Sequence, residues 1–260
     1  MPRFAANITF LYNEVEFLER FAAARRSGFR AVEFHYPYEF DKSAICEALE
    51  SNGLEAVLIN IPVGDKAKGD NGLACLPGRE ADFRAALTLA IDYAAALGVP
   101  RANCLAGLVA AGADRRECHA ALVKNLRFAA AEFKKAGLEL MLEPLNSRDV
   151  PGFFLDHSRQ TVEIMREVGA DNVKLQYDLY HMQIMEGALA QTMEELLPFI
   201  GHIQFADTPG RHEPGTGELN FDFLFHHIDR IGYTGWTSAE YRPLTTTAAS
   251  LSWHDASERL

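Results

Sequence analysis

The chain has 260 residues, 48% of them hydrophobic, and a formal net charge of −11 at pH 7. That is apolar material enough for a sizeable core, without the bias that marks disorder. The carboxylate excess repels phosphate backbones and anionic lipid, which argues against nucleic-acid and membrane partners, while a divalent cation and a small metabolite are compatible with it.

From the first residues onward, short apolar runs alternate with longer amphipathic segments. "MPRFAANITF" lacks a basic stretch followed by a long apolar one, so no signal peptide is expected, and no apolar run approaches the roughly 20 residues of a membrane span. "RFAANITF" reads as the first strand. "EVEFLERFAAARRSGF" follows as a helix, with Val15, Leu18, Phe21 and Ala22 expected on one buried face and Gly28 as the stop. "AVEFHYP" is the second strand, with a helix around "DKSAICEALESNG". "LEAVLINIP" is the third, and the helix "READFRAALTLAIDYAAALG" comes after a loop. "ANCLAG" and "LELMLEP" are the fourth and fifth, separated by the long helix "DRRECHAALVKNLRFAAAEFKKAG". After a helix near "SRQTVEIMREVG" come the sixth strand, "NVKLQYD", and a helix within "LAQTMEELLPFI". "HIQFAD" is the seventh strand, with "FDFLFHHIDRIG" beyond its loop, and "GWTSAEY" is the eighth. "TAASLSWHDASERL" closes the chain.

Eight strand–helix pairs in 260 residues predict a single (β/α)8 TIM barrel over residues 1–260, since such barrels take about 250 residues. A doubly wound sheet would carry a Gly-rich phosphate turn after the first strand, and "AANITFLYNE" has none. The cysteines Cys46, Cys75, Cys104 and Cys118 lie far apart with no CxxC, which predicts reduced thiols in a cytoplasmic protein.

Active sites of such barrels lie at the C-terminal ends of the strands. The residues expected there are Asn7, Glu33, Asn60, Asn103, Glu143, Asp178, Gln204 with Asp207, and Glu240. Three carboxylates and an amide oxygen (Glu143, Asp178, Gln204, Glu240) would repel one another unless a hard cation lay between them, and such oxygen ligands suit Mg²⁺ or Mn²⁺. His181, three residues after Asp178 on the turn leaving the strand, could face the same cavity and polarise a carbonyl or move a proton. His119 and His254 read as solvated, and His202 and His212 are ambiguous.

The polar loop "DTPGRHEPGTGE" can bring Arg211 over the mouth. A guanidinium pairs with a carboxylate through two charge-assisted hydrogen bonds, so Arg211, with Asn7, Asn60 and Glu213, forms the candidate substrate-binding set. The alternative is that Arg211 pairs with Glu213 or Glu218 as loop scaffolding. "GDKAKGD" lacks the Lys-Ser/Thr of a phosphate loop and, with "CLPGRE", is expected to make a flexible cover. No GxSxG or HExxH pattern occurs.

"INIPVGDKAKGDNGLACLPGRE", "LMLEPLN", "LQYDLYHMQIMEG", "HIQFADTPGRHEPGTGELNF" and "SAEYRP" together resemble the hydroxypyruvate isomerase family of xylose-isomerase-like barrels. The likeness runs over nearly the whole chain. It implies a metal site at Glu143, Asp178, Gln204 and Glu240, with Glu143 and Glu240 as the acid/base pair. It also implies an aldose–ketose shift on a small anionic hydroxy-oxo acid. Relatives acting on 2-oxo-tetronates share these positions, so the substrate stays open between the two acids. A ketose 3-epimerase, a repair nuclease and a non-catalytic metabolite-binding barrel are the rival readings, and a homo-oligomer is left open.

Overall fold

Runs such as Ala56–Ile59 and Leu140–Leu142 are apolar at every position, which suits strands covered on both faces, as in a parallel sheet wrapped by helices. The structure, a computed structural model, describes residues 1–257, with side chains described through residue 254. In chain order its elements are β1 (Arg3–Asn7), α1 (Phe17–Arg26), β2 (Ala31–Glu33), α2 (Lys42–Asn52), β3 (Glu55–Asn60), α3 (Glu80–Leu97), β4 (Arg101–Asn103) and α4 (Arg115–Lys135). They continue with β5 (Glu139–Leu142), α5 (Ser158–Val168), β6 (Val173–Asp178), α6 (Leu179–Met185), α7 (Leu189–Leu196), β7 (Ile200–Phe205), α8 (Phe221–Arg230), β8 (Trp236–Ala239) and α9 (Ser252–Ser257). All eight strands pair in parallel, and β8 returns to β1 to close the barrel. No helix among the described residues is long and apolar enough to cross a membrane.

The register places the strand ends in one layer. Asn7 lies beside Glu33, Asn60 beside Asn103, and Asp178 beside Gln204. Neighbours across parallel strands point to the same side, so a polar residue ending one strand meets the polar residue ending the next. Below that layer Gln176 and His202 are still polar, and the rest of the barrel interior is mainly apolar. At its base Ala5, Ala31, Val57 and Trp236 form a small cluster. The closing segment docks against the side: the Trp253 ring lies 5.1 Å from both Phe4 and Phe205 and 5.9 Å from Phe225. The last residues of that segment, 258–260, lie outside the described residues.

Several local expectations are corrected. Val15 precedes α1, which is capped at Glu16, and Leu18 is exposed. The helix buries Phe21 and Ala24, while Phe17 stacks on Phe40 at 4.4 Å. The expected turn after Asp178 is the helix α6, because the Asp178 carboxylate accepts the Tyr180 N–H at 2.8 Å and caps it. His254 is buried rather than solvated, its ring 4.6 Å from that of Phe29. Residues 64–79, expected as a loose cover, are tied down by the Arg79–Asp70 ion pair at 3.0 Å and by a bridge from Gly72 to Ala106. The left-handed Gly72 lies so close to the Leu105 carbonyl that a Cβ would collide with it.

Candidate active site

The strand ends converge on a layer of buried polar side chains: Asn7, Glu33, Asn60, Asn103, Glu143, Asp178, Gln204 and Glu240. Glu240, just past β8, is the hub. Its Oε2 accepts from Asn7 Nδ2 at 2.8 Å and from Gln204 Nε2, and lies 3.4 Å from His35 Nε2. Its Oε1 is ion-paired with Arg211 Nη2. Arg211 Nη2 also lies 3.3 Å from Asp178 Oδ2, so one guanidinium bridges two of the carboxylates. Glu143, just past β5, accepts from Asn103 Nδ2 at 2.6 Å.

Burial sets the electrostatics. Glu143 is pushed well above the usual carboxylate range by desolvation and then by the charges of Glu240 and Asp178, against which Arg211 and Asn103 pull. Desolvation likewise pushes Asp178 up to about 7, with Arg211 opposing and Glu240 adding to the rise. Buried carboxylates this crowded resist shedding their protons together. A divalent cation would relieve the strain, and the donor chemistry fits one: Glu143 and Asp178 offer carboxylate oxygens within 4.8 Å of each other, with Glu240 buried in the same layer.

His181 Nδ1 accepts the backbone N–H of Asn146 at 3.0 Å and lies 2.8 Å from Asn146 Nδ2. Burial, and then the Arg211 charge, hold the ring well below the usual histidine range, so it is neutral. A neutral imidazole that accepts at Nδ1 carries its proton on Nε2. That Nε2–H faces the cluster, 3.6 Å from Asp178 Oδ2. His181 therefore serves better as a hydrogen-bond donor than as a metal ligand.

The loop after β7 is organised by Asp207. Its Oδ2 accepts the N–H groups of Gly215, Thr216 and Gly217 at 3.0, 3.1 and 2.8 Å. Its Oδ1 accepts those of Thr208 and Leu219 at 2.9 and 3.1 Å. The loop delivers Arg211 in a left-handed conformation, φ 59°, with its guanidinium 5.1 Å from the rings of both Phe10 and Tyr180. A non-glycine residue held there signals a surrounding structure that over-determines it. Arg211 pairs with neither Glu213 nor Glu218.

The predicted residues Glu143, Asp178, His181, Gln204, Arg211, Glu240 and Asn7 are thus brought together. Asn60 joins them at the end of β3, with its Oδ1 buried and lacking a hydrogen-bond partner. Glu213 is not part of the cluster: its carboxylate accepts from the Leu244 N–H at 3.0 Å and ties the loop to the segment after β8. Gln204 presents its NH2 edge to Glu240, and its oxygen accepts from Gln176 Nε2 at 2.5 Å. His35, Asn146 and Gln176 also reach the cluster, though no local sequence pattern marks His35 or Asn146. The signal for Gln176 was in the pattern, because Gln176 and Asp178 in β6 alternate as His202 and Gln204 do in β7, which puts all four on the inward face.

The family model of the xylose isomerase-like TIM barrel matches residues 21–257. The chain is 49% identical to hydroxypyruvate isomerase of Escherichia coli (strain K12), over 98% of this chain and 99% of that one. It is also 49% identical to 2-oxo-tetronate isomerase of Cupriavidus necator, over 97% of each chain. Among solved structures, one from Brucella melitensis described as AP endonuclease, family 2, superposes with a TM-score of 0.96 at 41% identity, covering 98% of this chain and 99% of that one.

Proposed function

The chain belongs to the xylose isomerase-like TIM barrel family, and from that premise we propose that it isomerises hydroxypyruvate to 2-hydroxy-3-oxopropanoate. The observation that carries this reading is the buried cluster of Glu143, Asp178 and Glu240 beside a neutral His181 and the guanidinium of Arg211. Proton transfer next to a carbonyl needs a base, an acid and a donor to the carbonyl oxygen, and the cluster offers all three. 2-Oxo-tetronate is the second reading, favoured by the equal 49% identity of its isomerase. Both substrates are 2-oxo acids with a hydroxyl on C3, so one proton-transfer scheme serves both.

A divalent cation, Mg²⁺ or Mn²⁺, held by Glu143, Asp178 and Glu240 with Gln204 beside them, would supply Lewis-acid polarisation of the carbonyl and balance the enediolate charge. Glu240, supplied with donors by Arg211, Asn7 and Gln204, takes the C3 proton. The C3–H electron pair becomes the C2=C3 bond of an enediol. His181 Nε2–H hydrogen-bonds to the substrate carbonyl oxygen and steadies the charge that develops there. Glu143, whose carboxyl burial pushes well above the usual range, delivers a proton to C2. The C3 hydroxyl proton passes to the C2 oxygen as the aldehyde forms, and Glu240 returns its proton to Glu143 through water before the next turnover. Asn60 Oδ1 accepts from that hydroxyl. Arg211 attracts the substrate carboxylate to the mouth.

The test is an NMR-monitored incubation with hydroxypyruvate and with 2-oxo-tetronate, with and without chelator. Conversion of hydroxypyruvate that stops on chelation supports the reading. Turnover of 2-oxo-tetronate alone selects the second, and turnover of neither overturns both. DNA cleavage is disfavoured by the net charge of −11, which opposes the phosphate contacts that dominate nucleic-acid affinity.

A further inference from the structure

We propose that Glu33 and His202, buried beneath the carboxylate cluster, act as a positioning pair that sets the amides of Asn7 and Gln204 and, through them, aims Glu240. The proposal rests on the reading of Glu240 as an acid/base residue. Both residues are fully buried: Glu33 ends β2 and His202 lies within β7. His202 Nε2 donates to Glu33 Oε2 at 2.6 Å. The other oxygen, Glu33 Oε1, accepts from Asn7 Nδ2 at 2.8 Å and from Gln204 Nε2 at 2.7 Å.

The same two nitrogens donate to Glu240 Oε2. Each NH2 group therefore spans two carboxylates, giving one hydrogen to Glu33 and one to Glu240. An amide can meet two acceptors in this way only with its nitrogen edge toward both, so Glu33 holds each amide in that sense, together with the Thr9 N–H on Asn7 Oδ1 at 3.0 Å and Gln176 Nε2 on Gln204 Oε1 at 2.5 Å. A neutral group at position 33 would weaken the hold on both nitrogen edges and loosen their aim at Glu240, while Thr9 and Gln176 still bind the amide oxygens. His202 in turn consumes the second Glu33 oxygen and fixes the rotation of the carboxylate. Burying a carboxylate without a specific use is expensive, and here both amides that Glu33 accepts also donate to Glu240. Two positions 169 residues apart in the chain are thereby joined to the reacting group without touching substrate.

The experiment compares Glu33→Gln, His202→Gln and His202→Asn with the wild type. Gln places a nitrogen near the position of His Nε2 and reaches Glu33, whereas Asn is one methylene too short. Positioning predicts that Glu33→Gln and His202→Asn lose about 10²-fold in kcat with KM within about threefold, since a misplacement near 1 Å costs that much. His202→Gln should stay within about fivefold of wild type. The second readout is the side-chain NH2 signals of Asn7 and Gln204 in 15N-labelled protein, expected to be slow to exchange in the wild type and shifted and fast-exchanging in Glu33→Gln. If Glu33→Gln does not fold, the two His202 variants carry the comparison. A folded Glu33→Gln enzyme with kcat within twofold of wild type overturns the proposal, as do unchanged NH2 signals or equal losses in His202→Gln and His202→Asn. A wild type inactive on both acids overturns the functional reading instead, and the NH2 signals still decide whether Glu33 sets the amides.

Discussion

Glu143 and Glu240 differ in what surrounds them, and that difference can be measured. Glu240 accepts a guanidinium and two amides, whereas Glu143 has Asn103 and is pushed up by burial and by two neighbouring charges. If Glu240 removes the C3 proton, Glu143→Gln should lose several orders of magnitude in turnover yet still exchange the C3 hydrogens of hydroxypyruvate with D2O. Glu240→Gln should lose both. NMR of recovered substrate reads this directly, and the reverse pattern would exchange the two roles. His181→Asn should cost less, about 10²-fold in kcat, because it removes a hydrogen-bond donor rather than the base. Arg211 poses a sharper question, since its guanidinium already bridges Asp178 and Glu240. Arg211→Met leaves those carboxylates without their counter-charge and the substrate carboxylate without its attractor. KM for hydroxypyruvate should rise about tenfold or more, and the preference over neutral dihydroxyacetone should narrow. An unchanged ratio of kcat/KM for the two compounds would confine Arg211 to holding protein carboxylates.

At the scale of elements, the loop between β7 and α8 depends on one side chain. Five backbone N–H groups converge on Asp207, and Gly217 packs against the Thr208 carbonyl where a Cβ would collide with it. Asp207→Asn keeps the shape but turns an NH2 group toward part of that ring of donors. It should cost about 1–3 kcal/mol of stability through unsatisfied groups. More tellingly, it should open the Arg211–His212 bond to trypsin, which the wild type protects by holding Arg211 in ion pairs with Asp178 and Glu240. Equal protection in both proteins would show that the glycines alone shape the loop. This loop also marks how far the sequence could be read. Its density of charge was visible, and so was the ending of each strand in Asn, Asp, Glu or Gln, because a polar group at or just past the end of a buried strand caps the next helix, lines a site, or, as Asp178 does, both. The partners were not visible. Arg211 chooses Asp178 and Glu240 over the nearer Glu213, and Glu33 meets His202 from the other side of the barrel. Those choices follow from barrel closure, which brings together residues that no local pattern relates. The turn expected after Asp178 became a helix for a similar reason: the side chain read as a ligand also caps the next segment.

For the whole molecule the cluster is a source of instability that a cation would remove. Asp178 is pushed up to about 7 in the folded state, mainly by burial, while an unfolded chain leaves an aspartate near 3.9. A group whose folded value lies above its unfolded one favours the fold below the unfolded value. That contribution is lost as pH rises through the folded one. Metal-free protein should therefore lose stability from this site between about pH 4 and pH 7, where Asp178 must ionise against Glu240 in a buried setting. A divalent cation competes with that proton, so its stabilising effect should grow across the same window. Ligand at about a hundred times its Kd adds about 2.7 kcal/mol, which for a chain of this size raises Tm by roughly 5–10 °C. Thermal unfolding with Mn²⁺ and with EDTA, at pH 5.5 and at pH 8, should show that rise at pH 8 and a clearly smaller one at pH 5.5. A shift as large at pH 5.5 would mean that the cation does not displace protons from these carboxylates, and no shift at either pH would remove the metal from the site.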